Sequence, residues 1–479
     1  MARPQDGRSR ICIVGSGPAG STLAVRLAQL GHDVCLVERS VFPRSHLGES
    51  LSPGVLPLLE TIGVREAVEA ACFLRVSGVQ VKWDEGLQER RDAAEQGLLV
   101  DRGRFDALLL DRARALGVRV LQPAVVRERR CDESGWSLVI NANGRRVDLH
   151  VAFLADASGR SAGPIARSRH GGCRTLALHG YWVGSNLPVQ PRIEAGPDEW
   201  YWGVPLPDST YNTFVFLDLE RYRTGLAGTI GDRFLKLIGG SGLLDGCRDV
   251  RLVGRVRATE ATPWLAPESV TAQSIKVGDA ALALDPLSSS GVQKAIQTSL
   301  AGAVVVNTLL RKVESREAAL RFYRATLEDA AARHRGWSAT QYAAVAAQRG
   351  GSFWRDRADA ASSRRPPTVA PHSGSISPAS DGPVMLSPRL DIVDLPCLDG
   401  EFVVMKPTVS HPGLDGPLAY LGGVELVPLL RKLQAGMTPL QLACAWSPQV
   451  PLPAGVTLVG WLLAKDVLVR DPAGPSRRS

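Results

Sequence analysis

The sequence predicts an α/β protein in which an alternating strand and helix domain carries an inserted antiparallel sheet, a helical flank and a small C-terminal module. Three observations lead there. A strand pattern, Ile11 to Val14, runs through GSGPAG into an amphipathic stretch, Ser21 to Leu30, which Gly31 closes before a second strand, Asp33 to Glu38. From Leu176 to Arg257 the chain turns to aromatic and β-branched runs broken by Pro, Gly and Asp. Ala358 to Pro383 is rich in Ser, Pro and Ala with almost no large apolar side chain, too little to order itself, so it reads as a linker before a separate module.

In chain order, residues 9–175 form the first part of the α/β domain, with helical patterns at Leu56 to Ile62 and Arg104 to Leu116 among short β-rich pieces. Residues 176–270 form an antiparallel sheet laid beside it as a substrate region. Residues 271–355 return to a strand, a loop and a long apolar helix, followed by an Ala- and Arg-rich helical flank. The linker spans 356–385. Residues 386–472 hold two β-like pieces, helices at Val424 to Leu433, near Pro439 to Ala445 and around Val456 to Leu463, and a β-like end in DVLVR.

The 479 residues allow two or three domains, and 44% apolar with 22% charged residues is ordinary globular usage, which excludes a disordered or fibrous chain. The balance of 56 Lys and Arg over 48 Asp and Glu gives +8, spread along the chain. No dense basic run interleaved with aromatics occurs, which argues against nucleic acid. Eight scattered cysteines with no CxxC pair fit reduced thiols and a cytoplasmic setting. MARPQDGRSR leads into an apolar run too short for a signal core, and no stretch approaches the roughly 20 apolar residues that cross a bilayer. The histidines form no HxH or HxxxH pair, so no metal site is expected, and no GxSxG elbow points to a hydrolase.

Gly15, Gly17 and Gly20 make a G-x-G-x-x-G between strand and helix, with Glu38 ending the second strand. Glycines there let backbone N–H groups approach a pyrophosphate at a helix N-terminus, and the acid accepts ribose hydroxyls, the arrangement of a Rossmann-like domain. The pattern alone leaves NAD and FAD open. Asp279 follows a strand and a Gly, so its carboxylate can accept hydroxyl hydrogens, while Ser289 to Gly291 opens a helix whose N–H groups can face a ring.

Three further pieces, VDRGRFDALLLDRARALGV (Val100 to Val118), FLADASGRSA (Phe153 to Ala162) and KVGDAALALDPLSSSGVQKA (Lys276 to Ala295), make residues 9 to 345 resemble the flavoproteins that include the aromatic hydroxylases and flavin-dependent halogenases. The resemblance implies FAD as cofactor. It also implies Asp279 on the ribityl or phosphate part, Arg102 along the nucleotide, and Arg39, Ser290 and Gly291 among the cofactor contacts.

FPRSHLGESL (Phe42 to Leu51) and the W-x-W-x-x-P pattern from Trp200 to Pro205 resemble the halogenase branch most, and imply a substrate pocket at Trp200 and Trp202. Two hallmarks are missing. Where that branch carries a lysine three residues after a Phe, Phe73-Leu74-Arg75-Val76 offers Val76, and a valine can neither donate to hypohalous acid nor capture it. Ser288 follows Asp285-Pro286-Leu287 where tryptophan halogenases have Glu. Lys82 lies six residues beyond Val76, in an alternating run that reads as a solvated strand.

With flavin motifs kept and halogen-transfer residues gone, the expected chemistry is oxygen transfer from a flavin 4a-hydroperoxide to an electron-rich aromatic ring, with His46 and Glu49 as candidate base or proton carrier. The resemblance is closest in type to the peptidyl tryptophan hydroxylases of tryptophylquinone cofactor biogenesis, which implies a tryptophan in a peptide or protein precursor as substrate. The C-terminal module resembles winged-helix elements that bind leader peptides. No second nicotinamide fingerprint is present, which points to a separate flavin reductase. A halogenase acting on an aromatic or carrier-bound substrate, and a flavoprotein scaffold that recruits a peptide without chemistry of its own, remain the alternatives.

Overall fold

A computed structural model describes residues 11–44, 47–76, 78–83, 87–91, 97–161, 173–225, 228–359 and 382–471. The chain divides into two units, Met1–Lys312 with Tyr323–Pro366, and Val313–Phe322 with Pro367–Ser479.

The first unit is built on a five-stranded parallel sheet whose order is Ser274–Lys276, Phe153–Asp156, Ile11–Val14, Val34–Val37 and Arg119–Leu121. Its central strands, ICIV and VCLV, are almost wholly buried, as a parallel sheet covered on both faces requires. The helix Pro18–Gln29 starts on a proline whose missing N–H costs nothing there, and buries Leu23, Ala24, Val25 and Leu27. Helix Gly291–Arg311 packs beside it, while a three-stranded antiparallel sheet (Ala124–Asp132, Gly135–Ala142, Arg145–Val151) closes over Cys12 and Cys35 through Leu138 and Ile140.

A second, seven-stranded sheet runs Arg248–Glu260, Thr175–Ser185, Tyr211–Asp218, Glu199–Pro205, Arg192–Ala195, Gly78–Lys82 and Leu87–Arg91. The sheet expected from residues 176–270 therefore takes two strands from far upstream. The reason is the alternation Val79, Val81, Trp83, whose buried members Val81 and Trp83 join the same apolar cluster as Trp200 and Phe216. One face packs on the capped helix Ile230–Gly239 through Trp182 and Phe234; the other packs Trp200, Phe214 and Phe216 toward Tyr342 of the helix Arg316–Arg349.

The stretch expected as a linker begins inside a helix, Ser352–Asp359, because Phe353 and Trp354 are buried on the sheet's aromatic face. Its last two residues belong to the strand Val384–Leu386, and residues 360–381 lie outside the described residues.

In the second unit the hairpin Asp391–Asp399 and Phe402–Ser410 is followed by helices Leu426–Leu430, Pro439–Ala445 and Leu452–Ala464, and by Leu468–Arg470, which pairs with Val384–Leu386. Thr438 and Gln441 form a reciprocal cap at the middle helix, and Leu426, Leu430, Leu442, Trp446 and Leu462 fill the core. Among the described residues no helix is long and apolar enough to cross a membrane.

Candidate active site

Two of the three glycines at the first turn are demanded by the protein itself. Gly15 has φ 100°, and a Cβ there would lie 2.5 Å from the Ala157 carbonyl oxygen; at Gly20 it would lie 1.8 Å from that of Gly15. Gly17 is different: a Cβ would meet only the Arg44 guanidinium, at 3.6 Å. No side chain caps the helix that starts beyond it, so its first-turn amides are uncommitted to side chains. Glu38 lies buried beside this turn, one oxygen accepting the Ser16 amide (2.8 Å) and hydroxyl (3.0 Å), the other the Ser40 amide (2.8 Å). Arg39 follows it, exposed.

Arg102 is buried in a two-pronged pair with Asp106, Nε and Nη2 at 3.0 and 3.2 Å, and its Nη1 donates to the Leu47 carbonyl. It ties down the loop before Glu49. Arg44, whose Nη2 lies 3.7 Å from Asp106 and which covers the Phe42 ring at 4.8 Å, is the guanidinium that faces the glycine turn. The sequence reading passed over Arg44 because it stands in a loop motif with no periodicity to single it out.

Asp279 meets two cations, Lys294 Nζ at 2.6 Å and Arg160 Nε at 3.1 Å. Burial works to raise its carboxyl, but the two cations outweigh that and hold it below the usual carboxylate range. Gly278 makes this possible: it has φ 61°, and a Cβ would come within 2.6 Å of the Ala19 methyl, so the motif lies against the helix after the glycine turn. Lys294 is buried and also donates to the Leu282 carbonyl; burial pulls its ammonium below the usual lysine value. Ser289 adopts a left-handed conformation (φ 50°), Ser290 stands at the N-cap with its hydroxyl 2.6 Å from that of Ser288, and Gly291 opens a helix of 21 residues. A Cβ at Gly291 would meet nothing within 4 Å.

Cross-strand pairing puts Trp202, Phe214 and His179 in one row of the sheet, Trp200, Phe216 and Ala177 in the next, and Val204, Asn212 and Tyr181 in a third, all on one face. Trp200 is sealed, stacked on Phe216 at 3.8 Å and edge-on to Trp83 at 6.3 Å; Trp202 is only half-buried. Leu47, Val76 and Leu287 pack against the apolar cluster that contains this face, so the loop before Glu49 and the Asp285-Pro286-Leu287 turn meet at that cluster. Asp285 is pinned there by the Tyr342 hydroxyl, 2.9 and 3.0 Å from its two oxygens.

Glu49 sits over the third row. Its Oε1 accepts from Asn212 Nδ2 at 3.0 Å and the Tyr181 hydroxyl at 3.2 Å, and its Oε2 accepts from the Gly48 amide at 3.1 Å. Burial at 4% exposure raises its carboxyl above the usual range despite these donors. His179 is neutral, its imidazole pushed down to about 4 by burial and by Arg257. His46 lies outside the described residues. Val76 occupies the end of the strand Leu74–Val76, half-buried, and Lys82 is exposed and paired with Glu194 at 2.8 Å.

An FAD binding domain family matches residues 8–169. The chain is 32% identical over 339 residues, 66% of its own length, to the tryptophan 2-halogenase of Chondromyces crocatus, and covers 64% of that relative. It is 28% identical to the peptidyl tryptophan dihydroxylase QhpG, essential for tryptophylquinone cofactor biogenesis, with a TM-score of 0.72 over 96% of this chain and 99% of that one. The chain is similar to halogenase-like FAD-dependent oxidoreductases and spans a little under two thirds of the length of the tryptophan 2-halogenase it matches. The flavin-dependent halogenase CmlS shares its fold at a TM-score of 0.76 over 98% of both chains, with 21% identity.

The cofactor of this group is FAD, and the residues present fit it. Gly17 and Gly291 open onto space where no protein atom requires a glycine, each beside a helix start without a side-chain cap, and Glu38 and Asp279 flank the two openings as acceptors.

Proposed function

We propose that this flavoprotein is a monooxygenase that inserts oxygen into an electron-rich aromatic ring, a tryptophan carried in a peptide or protein being the favoured substrate. The observation that carries the reading is Val76. At the position where the halogenating branch has its lysine stands a half-buried valine packed against that apolar cluster, and the neighbouring Lys82 is held by Glu194. The amides after Gly17, with Arg44 and Arg39, would hold the pyrophosphate of FAD, Glu38 its ribose, Asp279 its ribityl chain, and the Ser290–Gly291 helix start its ring system. The chemistry that bound FAD would supply, with electrons from a separate reductase, is activation of dioxygen for oxygen transfer.

The chain's own residues then have three tasks. Trp202 and the half-open part of the aromatic face orient the substrate ring, while sealed Trp200, Phe216 and Trp83 keep water out. Glu49 takes the proton released when the hydroxylated carbon regains aromaticity. Burial raises its carboxyl above the usual range, which makes the carboxylate the better proton acceptor, and Tyr181 and Asn212 fix its orientation. QhpG, alike over nearly its full length including the second unit, is a peptidyl tryptophan dihydroxylase, which supports a polypeptide-borne substrate and a peptide-binding role for the winged-helix-like module.

Halogenation is the second reading, favoured by the names of the relatives, among them a chlorinase of a pyrrole on a peptidyl-carrier protein, 27% identical. Incubating the reduced, FAD-loaded protein with a tryptophan-containing peptide and bromide separates them: oxygen in the product supports the proposal and bromine overturns it.

A further inference from the structure

The strand Arg248–Glu260 is the outer edge of the seven-stranded sheet, and among the described residues no other strand pairs with its free side. It is 13 residues long and carries Arg248, Arg251, Arg255 and Arg257, all exposed. None of the four makes an ion pair or a side-chain hydrogen bond with another described residue. Other arginines nearby are spoken for: Arg174 by Glu260, Arg221 by Asp198 and Glu199, Arg357 by Asp218. The strand's own acids lie at its ends, Asp249 at one and the paired Glu260 at the other.

The register decides what this edge adjoins. Arg257 pairs with His179, Val253 with Tyr181 and Arg251 with Val183, so these side chains share the face that holds Trp202 and the Glu49 contact. Gly254, with φ 74°, lies in a bulge between Val253 and Arg257 and twists the edge locally.

We propose that this edge is the docking site for an acidic polypeptide segment in extended conformation, which adds as an eighth strand and anchors a polypeptide whose aromatic residue lies on the stretch that follows and folds over the sheet's active face. Backbone N–H and C=O groups on the free side supply the pairing, and the unpaired guanidiniums select carboxylates at alternate positions. A strand seated there lies about 10 Å from the strand of Tyr181 and about 20 Å from that of Trp202, two and four inter-strand spacings away, so the docked stretch anchors the polypeptide and the chain continuing from it carries the aromatic residue over the face. Polypeptide is favoured over nucleic acid because a free strand edge offers main-chain pairing, which a phosphate backbone cannot use. The inference rests on the reading that the substrate is carried on a polypeptide.

The test uses the full-length, FAD-loaded protein and a fluorescein-labelled peptide in which an alternating Glu and Val stretch is followed by a Gly-rich spacer of about ten residues and one Trp, with binding read by anisotropy. Binding is expected, weakened at least tenfold by the double substitution Arg251→Glu with Arg257→Glu. The same reversal at Arg127 and Arg129, exposed on another edge strand, is expected to leave it unchanged. Backbone N-methylation of one alternate set of peptide residues is expected to abolish binding and of the other set to spare it. Equal loss from both double variants, indifference to both methylation patterns, or equal binding by an RNA oligonucleotide of the same charge overturns the proposal. Turnover distinguishes it from the functional reading: a peptide that docks but is never oxygenated refutes the monooxygenase, whereas oxygenation with an unchanged KM in the Arg251/Arg257 variant refutes the docking edge.

Discussion

Replacing Asp279 by Asn tests whether the charge cluster at the second glycine motif is a structural pair as well as a cofactor contact. Lys294 is 6% exposed and its ammonium has Asp279 Oδ1 at 2.6 Å as its only anionic partner among the described residues within bonding distance. Removing one member of a buried pair costs about 3–5 kcal/mol, because the other charge is left without compensation. Asp279 is 32% exposed, so water relieves part of this and the lower end, about 3 kcal/mol, is the expected cost. At roughly 2 °C per kcal/mol for a large domain, FAD-free Asp279→Asn should melt about 6 °C below the parent. Adding Lys294→Met, which removes the stranded charge at similar volume, should recover most of that loss while flavin affinity stays low. Circular dichroism melts of the FAD-free proteins and quenching of flavin fluorescence on titration read the two effects separately. A single variant that melts within a degree or so of the parent would show that Lys294 does not depend on Asp279 and refute the reasoning.

The glycines of the first turn should separate by their surroundings: Gly17→Val is expected to fold normally and lose FAD affinity at least tenfold, since its Cβ meets only Arg44 at 3.6 Å. Gly20→Ala, aimed 1.8 Å from the Gly15 oxygen, is expected to lose on the order of 3 kcal/mol of stability. A Gly17→Val protein that binds FAD normally would remove the cradle. For Glu49, whose carboxyl burial raises, the folded state binds the proton more readily than the unfolded one. The stability of the parent relative to Glu49→Gln should therefore increase as pH falls through the raised value, and shrink as pH rises through it. A difference that is flat or opposite in sign, measured by melts on both sides of that value, contradicts the burial assignment.

The parallel domain was legible because its signals are local: strand, glycine turn, helix and acid follow one another without interruption from Ile11 to Glu38. What the sequence concealed was long-range. Gly78–Lys82 and its hairpin partner Leu87–Arg91 join a sheet whose other five strands all lie beyond residue 174, and only the burial of Val81 and Trp83 reveals it. Glu49 could be named from its motif, but Tyr181 and Asn212, which orient it, come from two other strands. Lys294 looks like any helix lysine until Asp279 is seen beside it. Arg102 illustrates the reverse case: it was named for the nucleotide, and the structure spends most of its donors on Asp106 and Leu47. Trp200, named for the substrate, is sealed under Phe216, which leaves Trp202 as the open member of the pair.

The most direct test of the central claim is the mass of the product. Full-length, FAD-loaded protein is incubated with reduced flavin, isotopically heavy dioxygen, excess bromide and a tryptophan-containing peptide, and the intact peptide is weighed. A gain of about 16 Da per oxygen with ordinary dioxygen, rising by about 2 Da per oxygen with the heavy isotope, is the predicted result, since the oxygen comes from dioxygen activated by the flavin. A paired bromine isotope pattern, or no change in a peptide that binds, would contradict it.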